Sequence, residues 1–233
     1  MQDEEVPLPP NIVSRLGGPR QTPSQYKVTT RSVSGMAAAM RAVAPQYEIA
    51  VWLGACAGLR LSEALGMTWG NIDMVHNRLS VTQQLFRREV RPLKTKSSRA
   101  TLPMDPFLTD KLRAHWDAFP PEADQGSERI EGPFSSTGWI MVNSNKDPLT
   151  SQNFAYRWNA ARSSSGIPPE ISFHSLRHYY ISMLAQSGRY SLTTVQSLAR
   201  HGCIRSTLGY VRTIDSPDET GIHVFSAAFA QRD

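Results

Sequence analysis

Apolar positions recur at helical spacing along most of the chain, which predicts a mainly helical protein. An alanine-rich stretch runs from Val33 to a break at Pro45, and "QYEIAVWLGACAG" continues the helical spacing as far as Gly58. The segments "DPFLTDKLRAHWDAF" and "TSQNFAYRWNAARSSSG" predict further helices. Two more follow near the C-terminus: "HSLRHYYISMLAQSG", ended by Gly188, and "SLTTVQSLARHG", capped by Ser191 or Thr193 and ended by Gly202.

Alternating polar and apolar residues in the middle of the chain predict strands. The segments are "RLSVTQQL", "REVRPLKTKSSRATLPM" and a short buried "WIMVN". Lys94 and Lys96 fall two residues apart on the second strand, so they share one face of it. The expected fold class is therefore mainly α with a small antiparallel β-sheet (α+β).

Composition divides the chain into three parts. Residues 1–30 are rich in proline and polar groups and predict a flexible N-terminal arm or interdomain linker, without the apolar core of a signal peptide. Residues 31–215 carry the periodic segments and form the main domain. Residues 216–233 form a C-terminal tail with an apolar stripe at helical spacing, made of Ile222, Phe225 and Phe229.

Charge and cysteine content narrow the functional classes. The chain of 233 residues has 25 basic and 20 acidic residues, a net charge of +5, which is compatible with a nucleic-acid partner. Cys56 and Cys203 match no zinc or redox spacing, so a reducing cytoplasm is the expected compartment. No segment reaches the roughly 18 apolar residues of a membrane span.

The segment "FHSLRHYY" concentrates groups that bind anions or metals. His174 and His178 are four residues apart, the spacing at which two helical imidazoles can hold one metal ion. Alternatively, His174 and Arg177 can face the same phosphate. A zinc site needs a third ligand and usually a carboxylate base, and no acidic residue lies near the candidate third ligand His201. A guanidinium would also repel a metal ion, so the phosphate hypothesis is favoured.

A second candidate group lies at the junction between two predicted helices. Arg60 follows Gly58, while Ser62 is the expected N-cap of the next helix and Glu63 suits its first turn. The backbone would then fix Arg60 so that its side chain points into a cleft. The alternative is an ordinary ion pair between Arg60 and Glu63, of under about 1 kcal/mol.

Five segments taken together are similar to the tyrosine recombinase, or phage-type integrase, family, which shares its catalytic core with type IB topoisomerases. They are "GLRLSEAL", "LKTKSSRATLP", "HSLRH", "ARHG" and "LGYVR", and they occur in the family's order between about Val33 and Val211. The resemblance implies cleavage and rejoining of double-stranded DNA at attachment-type sites, in phage or mobile-element integration and excision. It also implies dimers or tetramers on DNA, no cofactor or metal, and a location on DNA in a prokaryotic cytoplasm.

The resemblance also assigns roles to single residues. Arg60 and Arg177 match the two arginines that hold the scissile phosphate, and His201 matches the residue that donates a hydrogen bond to it. Two guanidiniums suit this task because they can clamp phosphate oxygens bidentately in a geometry fixed before reaction.

Nucleophilic attack and proton transfer fall to the remaining matches. Tyr210 matches the nucleophile, and His174 matches the proton acceptor or phosphate ligand. The general acid is Lys94 or Lys96; Lys94 is preferred because "KTKSSRATLP" resembles the family segment that begins at its catalytic lysine. Tyr180 is a rival nucleophile only through its nearness to Arg177.

The chain departs from the family in two ways. Arg200 stands where the family commonly has glycine, and we expect its side chain to reach DNA or to point to solvent. No helical DNA-clamping domain precedes residue 31, so we expect an isolated catalytic domain. Two other functions stay open: a type IB topoisomerase-like strand transferase and a non-catalytic DNA-binding regulator. The tail can pack in cis or on a neighbouring protomer, and His178 is expected to be a structural hydrogen-bonding residue under the core.

Overall fold

The structure is a computed structural model that describes residues 28–93, 98–121, 138–145, 147–201 and 229. Helices form most of the regular structure in this part of the chain, and the strands form two small antiparallel sheets. The predicted class, mainly α with a small antiparallel sheet, is confirmed.

The helices of the described residues follow the predicted segments closely. Short 3-10 turns at Pro45–Tyr47 and Trp69–Asn71 link some of them. The α-helices are α1 (Thr30–Val43), α2 (Glu48–Ala57), α3 (Leu61–Leu65), α4 (Pro106–Ala118), α5 (Ser151–Ser164), α6 (Phe173–Gln186) and α7 (Leu192–Leu198).

Helix α2 is the centre of the core. Its residues from Ile49 to Ala57 are all buried, as expected for a helix that is apolar on every side. It packs against α1, α4 and α6. Gly54 permits the close contact with α6, because a β-carbon there would lie 3.0 Å from Leu176 Cδ1. This contact brings the first turn of α6 against α2, and Gly58 just after α2 lies against Tyr180 in the middle of α6, where the candidate site begins.

The strands form a three-stranded sheet and a separate hairpin. Strand β2 lies between β1 and β5 and is antiparallel to both, with Leu79 opposite Leu102. Strands β3 and β4 pair only with each other, with Leu85 opposite Val90. The bounds are β1 (Ile72–Asp73), β2 (Arg78–Val81), β3 (Gln83–Phe86), β4 (Glu89–Pro92) and β5 (Ala100–Pro103).

Three predicted strands differ from the observed ones. The first is interrupted at Thr82, so that β2 and β3 belong to different sheets. The second contains both β4 and β5, with residues 94–97 between them outside the described part. The third was predicted wrongly as a strand, because Trp139 and Val142 make only isolated bridges, to Thr68 and Pro148. Among the described residues, the third segment pairs at too few positions to form a regular strand.

The chain termini are described only in part. Residues 1–27, the bulk of the predicted arm, lie outside the described residues, as do Ile222 and Phe225 of the tail. Phe229 is described, and its ring stacks on Phe107 at 4.8 Å and meets Trp52 edge-on at 5.2 Å. The tail residue therefore packs on its own chain in this structure, while exchange between protomers stays a prediction. None of the described helices is long and apolar enough to cross a membrane.

Candidate active site

The backbone between α2 and α3 positions Arg60. Helix α2 ends at Gly58, whose φ of 61° is left-handed, and Arg60 is the N-cap residue of α3. The expectation that Ser62 is the N-cap is therefore wrong, because α3 begins at Leu61 and Glu63 occupies its third position. Glu63 caps the helix itself: its Oε2 accepts a hydrogen bond from the Arg60 N–H at 2.8 Å.

Arg60 and Glu63 form the ion pair that the sequence allowed as an alternative. Arg60 Nη1 lies 2.7 Å from Glu63 Oε1, and the Glu63 side chain is only 2% exposed while that of Arg60 is 40% exposed. One carboxylate thus holds both the backbone and the side chain of Arg60. The pair does not exclude the phosphate-binding hypothesis, because the guanidinium keeps an exposed part that a ligand can reach.

Arg177 lies on α6 and is buried. Its Nη1 donates a hydrogen bond to the carbonyl oxygen of Gly58, and its Nη2 donates one to that of Ala199. These carbonyls stand two residues before Arg60 and two residues before His201. Arg177 therefore joins the two chain segments that carry Arg60 and His201.

The imidazoles of the cluster come from α6 and from the segment that follows α7. His174 lies in the first turn of α6, and His178 lies one turn later with its ring edge-on to that of His174 at 4.5 Å. His178 is exposed, so the expectation that it lies under the core is wrong. His201 follows α7, and the Gln196 residue holds its backbone on both sides: the His201 N–H donates to the Gln196 carbonyl, and Gln196 Nε2 donates to the His201 carbonyl.

The pKa values of His174, Arg177 and His201 are all lowered, partly by the charges of neighbouring arginines. Burial, followed by the charges of Arg177 and Arg60, lowers the pKa of His174. The same causes lower the pKa of His201 to about 4, with smaller contributions from His178 and Arg200. Burial and the neighbouring Arg200 and Arg60 lower the pKa of Arg177 to about 10. At neutral pH the site therefore combines cationic guanidiniums with neutral imidazoles.

Arg200 contradicts the expectation that it reaches DNA or points to solvent. Its side chain is 0% exposed, and its Nη1 lies 2.9 Å from Glu63 Oε2. Helix α7 ends at Leu198, with Ala199 as its C-cap, rather than at Gly202, because Arg200 has a left-handed φ of 54° that turns the chain. The turn places the Arg200 guanidinium next to the Glu63 carboxylate. This ion pair offsets the cost of burying the charge of Arg200.

The structure brings together four of the predicted site residues and leaves three undescribed. Arg60, His174, Arg177 and His201 form one electrostatically coupled cluster. Lys94, Lys96 and Tyr210 lie outside the described residues, so their predicted roles stay predictions.

Two competing hypotheses can be compared with the described residues. Tyr180, the rival nucleophile, is 3% exposed, and burial raises the pKa of its phenol well above the ordinary range. A buried, strongly protonated phenol is a poor nucleophile. For the metal hypothesis, the described part of the chain contains no group of three or more His, Cys, Asp or Glu side chains that could hold an ion.

The sequence reasoning missed the contact between Glu63 and Arg200. Burial acts to raise the pKa of Glu63, but the charge of Arg200 and the hydrogen bonds and charge of Arg60 outweigh it, so the net pKa is lowered. The only signal in the sequence was an arginine at a position that the resemblance associates with glycine. That signal predicted a difference at residue 200 but not the direction of its side chain.

Comparison with known proteins agrees with this arrangement. Residues 32–216 match the phage integrase family. Because this match covers most of the chain, the chain belongs to the phage integrase family.

Curated relatives match at low identity and over part of their length. Tyrosine recombinase XerC 1 of Ralstonia nicotianae is 27% identical over 153 residues, which are 66% of this chain and 45% of the relative. A tyrosine recombinase XerC-like protein of Caldanaerobacter subterraneus subsp. tengcongensis is 24% identical over 187 residues, 74% of this chain and 47% of the relative. The chain thus spans somewhat under half the length of these relatives.

Solved structures share the fold. The Tn1549 transposon integrase in complex with circular intermediate DNA superimposes with a TM-score of 0.68 at 18% identity, covering 84% of this chain and 65% of that one. A lambda integrase dimer bound to a core site gives a TM-score of 0.58 at 18% identity, covering 86% and 66%. At these identities the likeness concerns the fold alone.

Proposed function

We propose that this chain is the catalytic domain of a tyrosine-type site-specific DNA recombinase. The observation that carries the proposal is the coupled cluster of Arg60, His174, Arg177 and His201, contributed by three separate segments of a phage integrase family member. Such a cluster of cations and neutral imidazoles suits one phosphodiester whose charge grows in the transition state.

Arg60 and Arg177 would hold the two non-bridging oxygens of the scissile phosphate. Arg60 is partly exposed, and Arg177 remains cationic at neutral pH because its lowered pKa is still about 10. Their hydrogen bonds to Glu63 and to backbone carbonyls fix both guanidiniums before a ligand arrives. Preorganised donors of this kind need no rearrangement at the moment of reaction.

Tyr210 would attack the phosphorus. The phenolic oxygen forms a bond to phosphorus, the bond from phosphorus to the 5′ oxygen breaks, and a 3′-phosphotyrosine with a free 5′-hydroxyl results. The phenolic proton passes to His174, whose lowered pKa keeps its imidazole neutral and able to accept it. Lys94, or alternatively Lys96, gives a proton to the departing 5′ oxygen. The reverse attack by a second 5′-hydroxyl rejoins the strand.

Double-stranded DNA is the proposed partner, at attachment-type sites of a phage or mobile element in a prokaryotic cell. Two structural relatives, a transposon integrase in complex with circular intermediate DNA and a lambda integrase dimer bound to a core site, support this choice. The net charge of +5 is consistent with phosphate contacts. Assembly on DNA as a dimer or tetramer belongs to the same proposal.

A nicked suicide substrate tests the proposal. After cleavage beside the nick, a short fragment diffuses away and leaves the protein attached to DNA. The wild-type chain should form a covalent adduct that mass spectrometry locates on Tyr210. The Tyr210→Phe variant should form none, because it lacks the attacking oxygen, while its DNA affinity stays within about twofold. An adduct of normal yield with Tyr210→Phe would contradict the proposed nucleophile.

The two lysines can be separated by changing the leaving group. A sulfur atom in place of the bridging 5′ oxygen leaves without being protonated, so it makes a general acid unnecessary. The Lys94→Ala variant should cleave an ordinary substrate about 100-fold more slowly and the sulfur-bridged one at nearly the wild-type rate. Lys96→Ala is the matched control and should slow neither. The opposite pattern would assign the role to Lys96.

A further inference from the structure

Arg200 is held in a conformation that an arginine rarely adopts. Its φ of 54° is left-handed, a region that costs a residue with a β-carbon about 1–2 kcal/mol. Glycine is the usual residue at this position after a helix. The conformation nevertheless directs the guanidinium into the protein, where it is completely buried. Both the strained backbone and the loss of hydration of the guanidinium oppose this arrangement, so the contacts of the side chain need an explanation.

The side chain of Arg200 contacts Glu63, Gly58 and Ser98. Nη1 lies 2.9 Å from Glu63 Oε2, and the other oxygen of that carboxylate holds Arg60. Nη2 donates at 3.1 Å to the Gly58 carbonyl, which also accepts from Arg177. Nη1 also donates, at 3.4 Å, to the carbonyl of Ser98, the first described residue after the segment that contains Lys94 and Lys96.

The charge of Arg200 has a second effect. Glu63 is buried, and its negative charge would otherwise be matched by Arg60 alone. Arg60 and Arg200 both pair with this carboxylate, and Arg177 shares the Gly58 carbonyl with Arg200. These three arginines and Glu63 carry a net charge of +2; without Arg200 the net charge is +1. Because Arg200 also pairs with Glu63, Glu63 can orient the Arg60 guanidinium without cancelling its positive charge towards an incoming phosphate.

We propose that Arg200 is a positioning residue that fixes Glu63, and through it Arg60, for the phosphate. The inference rests on the proposed function and deepens it. Arg200 does not touch the substrate in this scheme, because it is buried behind Glu63. Its loss should therefore slow the chemical step and leave DNA affinity nearly unchanged.

Three variants separate the guanidinium from the backbone strain. Arg200→Gly removes the side chain and suits the left-handed backbone, so it relieves strain. Arg200→Lys keeps the charge and the strain but lacks the planar fork that reaches three acceptors. Arg189→Lys is the matched control, because Arg189 lies elsewhere, in the turn after α6.

Single-turnover cleavage of the suicide substrate at saturating DNA is the main measurement. Arg200→Gly should reduce the cleavage rate about 10- to 100-fold, on the scale of a misplaced positioning group, with a change in DNA Kd below about threefold. Arg200→Lys should recover part of the loss, and Arg189→Lys should match the wild type. In an Arg60→Ala background, Arg200→Gly should cost much less than it does alone, because both residues act through one contact.

A readout without DNA tests the contact directly. The carboxyl carbon of Glu63, assigned in the magnetic resonance spectrum with a Glu63→Gln variant, should titrate at a higher pKa in Arg200→Gly than in the wild type. A wild-type cleavage rate in Arg200→Gly, or equal losses with and without Arg60, would overturn the proposal, as would an unchanged Glu63 pKa. If the wild-type chain forms no covalent adduct, the proposed function is contradicted. The titration of Glu63 would even then show whether Arg200 holds the carboxylate. If Arg200→Gly does not fold, Arg200→Lys tests the proposal instead: a reduced cleavage rate supports it, and a wild-type rate contradicts it.

Discussion

Two left-handed residues, Gly58 and Arg200, arrange the site at the scale of single residues. Each turns the backbone just after a helix, and the next functional side chains, Arg60 and His201, follow within two residues. Arg177 bonds to the carbonyls beside both turns. The conformations of two residues thus decide where the cations and imidazoles meet.

Gly58 provides a residue-scale prediction. A β-carbon at this position would lie 2.8 Å from Tyr180 Cε1, in addition to having a left-handed φ of 61°. Gly166 has a similar φ of 62°, but nothing lies within 4 Å of its added β-carbon. Both Gly58→Ala and Gly166→Ala should incur the backbone cost, and Gly58→Ala should incur a further penalty of about 1–3 kcal/mol for overpacking.

Urea denaturation of the two variants measures this difference in unfolding free energy. Gly58→Ala should also reduce cleavage, because the carbonyl that Arg177 and Arg200 share would shift with the ring contact. Equal losses of stability in the two variants would show that the contact with Tyr180 imposes no constraint.

The residues of the cluster were largely predictable from the sequence, but the contact between Glu63 and Arg200 behind them was not. Arg60, His174, Arg177 and His201 stand in short motifs whose order and spacing resemble those of the family. Glu63 and Arg200 come together only because two distant helix ends meet. No periodicity in the sequence reports such a contact, and the direction of the Arg200 side chain depends on a backbone angle that arginine seldom adopts.

At the scale of elements, helices were easier to predict than strands. Helical spacing is repeated over three or more turns in α1, α4, α5 and α6, and each begins near its expected residue. The strands are only two to four residues long, which is too short for alternation to mark their ends. The turn between β3 and β4 carries no Asn-Gly signal in the sequence, because it is made of Arg87 and Arg88.

The turn between β3 and β4 carries an element-scale prediction. Arg87 and Arg88 both have positive φ, 51° and 68°, the pattern of a two-residue type I′ turn that favours glycine at its second position. Arg88→Gly should be more stable than Arg88→Ala by about 1 kcal/mol, because both lose the side chain and only glycine relieves the strain. Thermal denaturation of the pair measures the difference. An alanine variant as stable as the glycine variant would contradict the strained turn.

At the scale of the whole molecule, the site's electrostatics should make stability depend on pH. Burial and neighbouring charges lower the pKa of His178 and His201 to about 4, from an ordinary value of 6.5. Between these values the unfolded chain binds protons that the folded chain does not, so the unfolding free energy should fall as the pH drops from 6.5 towards 4. The lowered pKa values of Glu48 and Glu63 act in the same direction, but only below their ordinary 4.5.

Urea titrations between pH 7.5 and 5 isolate the histidine contribution. The wild type should lose stability steadily below pH 6.5, and His178→Asn should lose less because one of the groups is removed. His178 is suitable because it has no proposed catalytic role. A wild-type stability that stays constant over this range would refute the pKa shifts.

The sequence by itself determined the fold class, the positions of the helices and the residue types of the site, because these depend on local spacing and on short motifs. Tertiary structure decided that α2 is the centre of the core, that Arg177 bonds to the carbonyls of Gly58 and Ala199, and that Arg200 is buried against Glu63. Those outcomes depend on which distant segments pack together and on how a buried charge finds its partner. Such long-range energies leave no periodic signal along the chain.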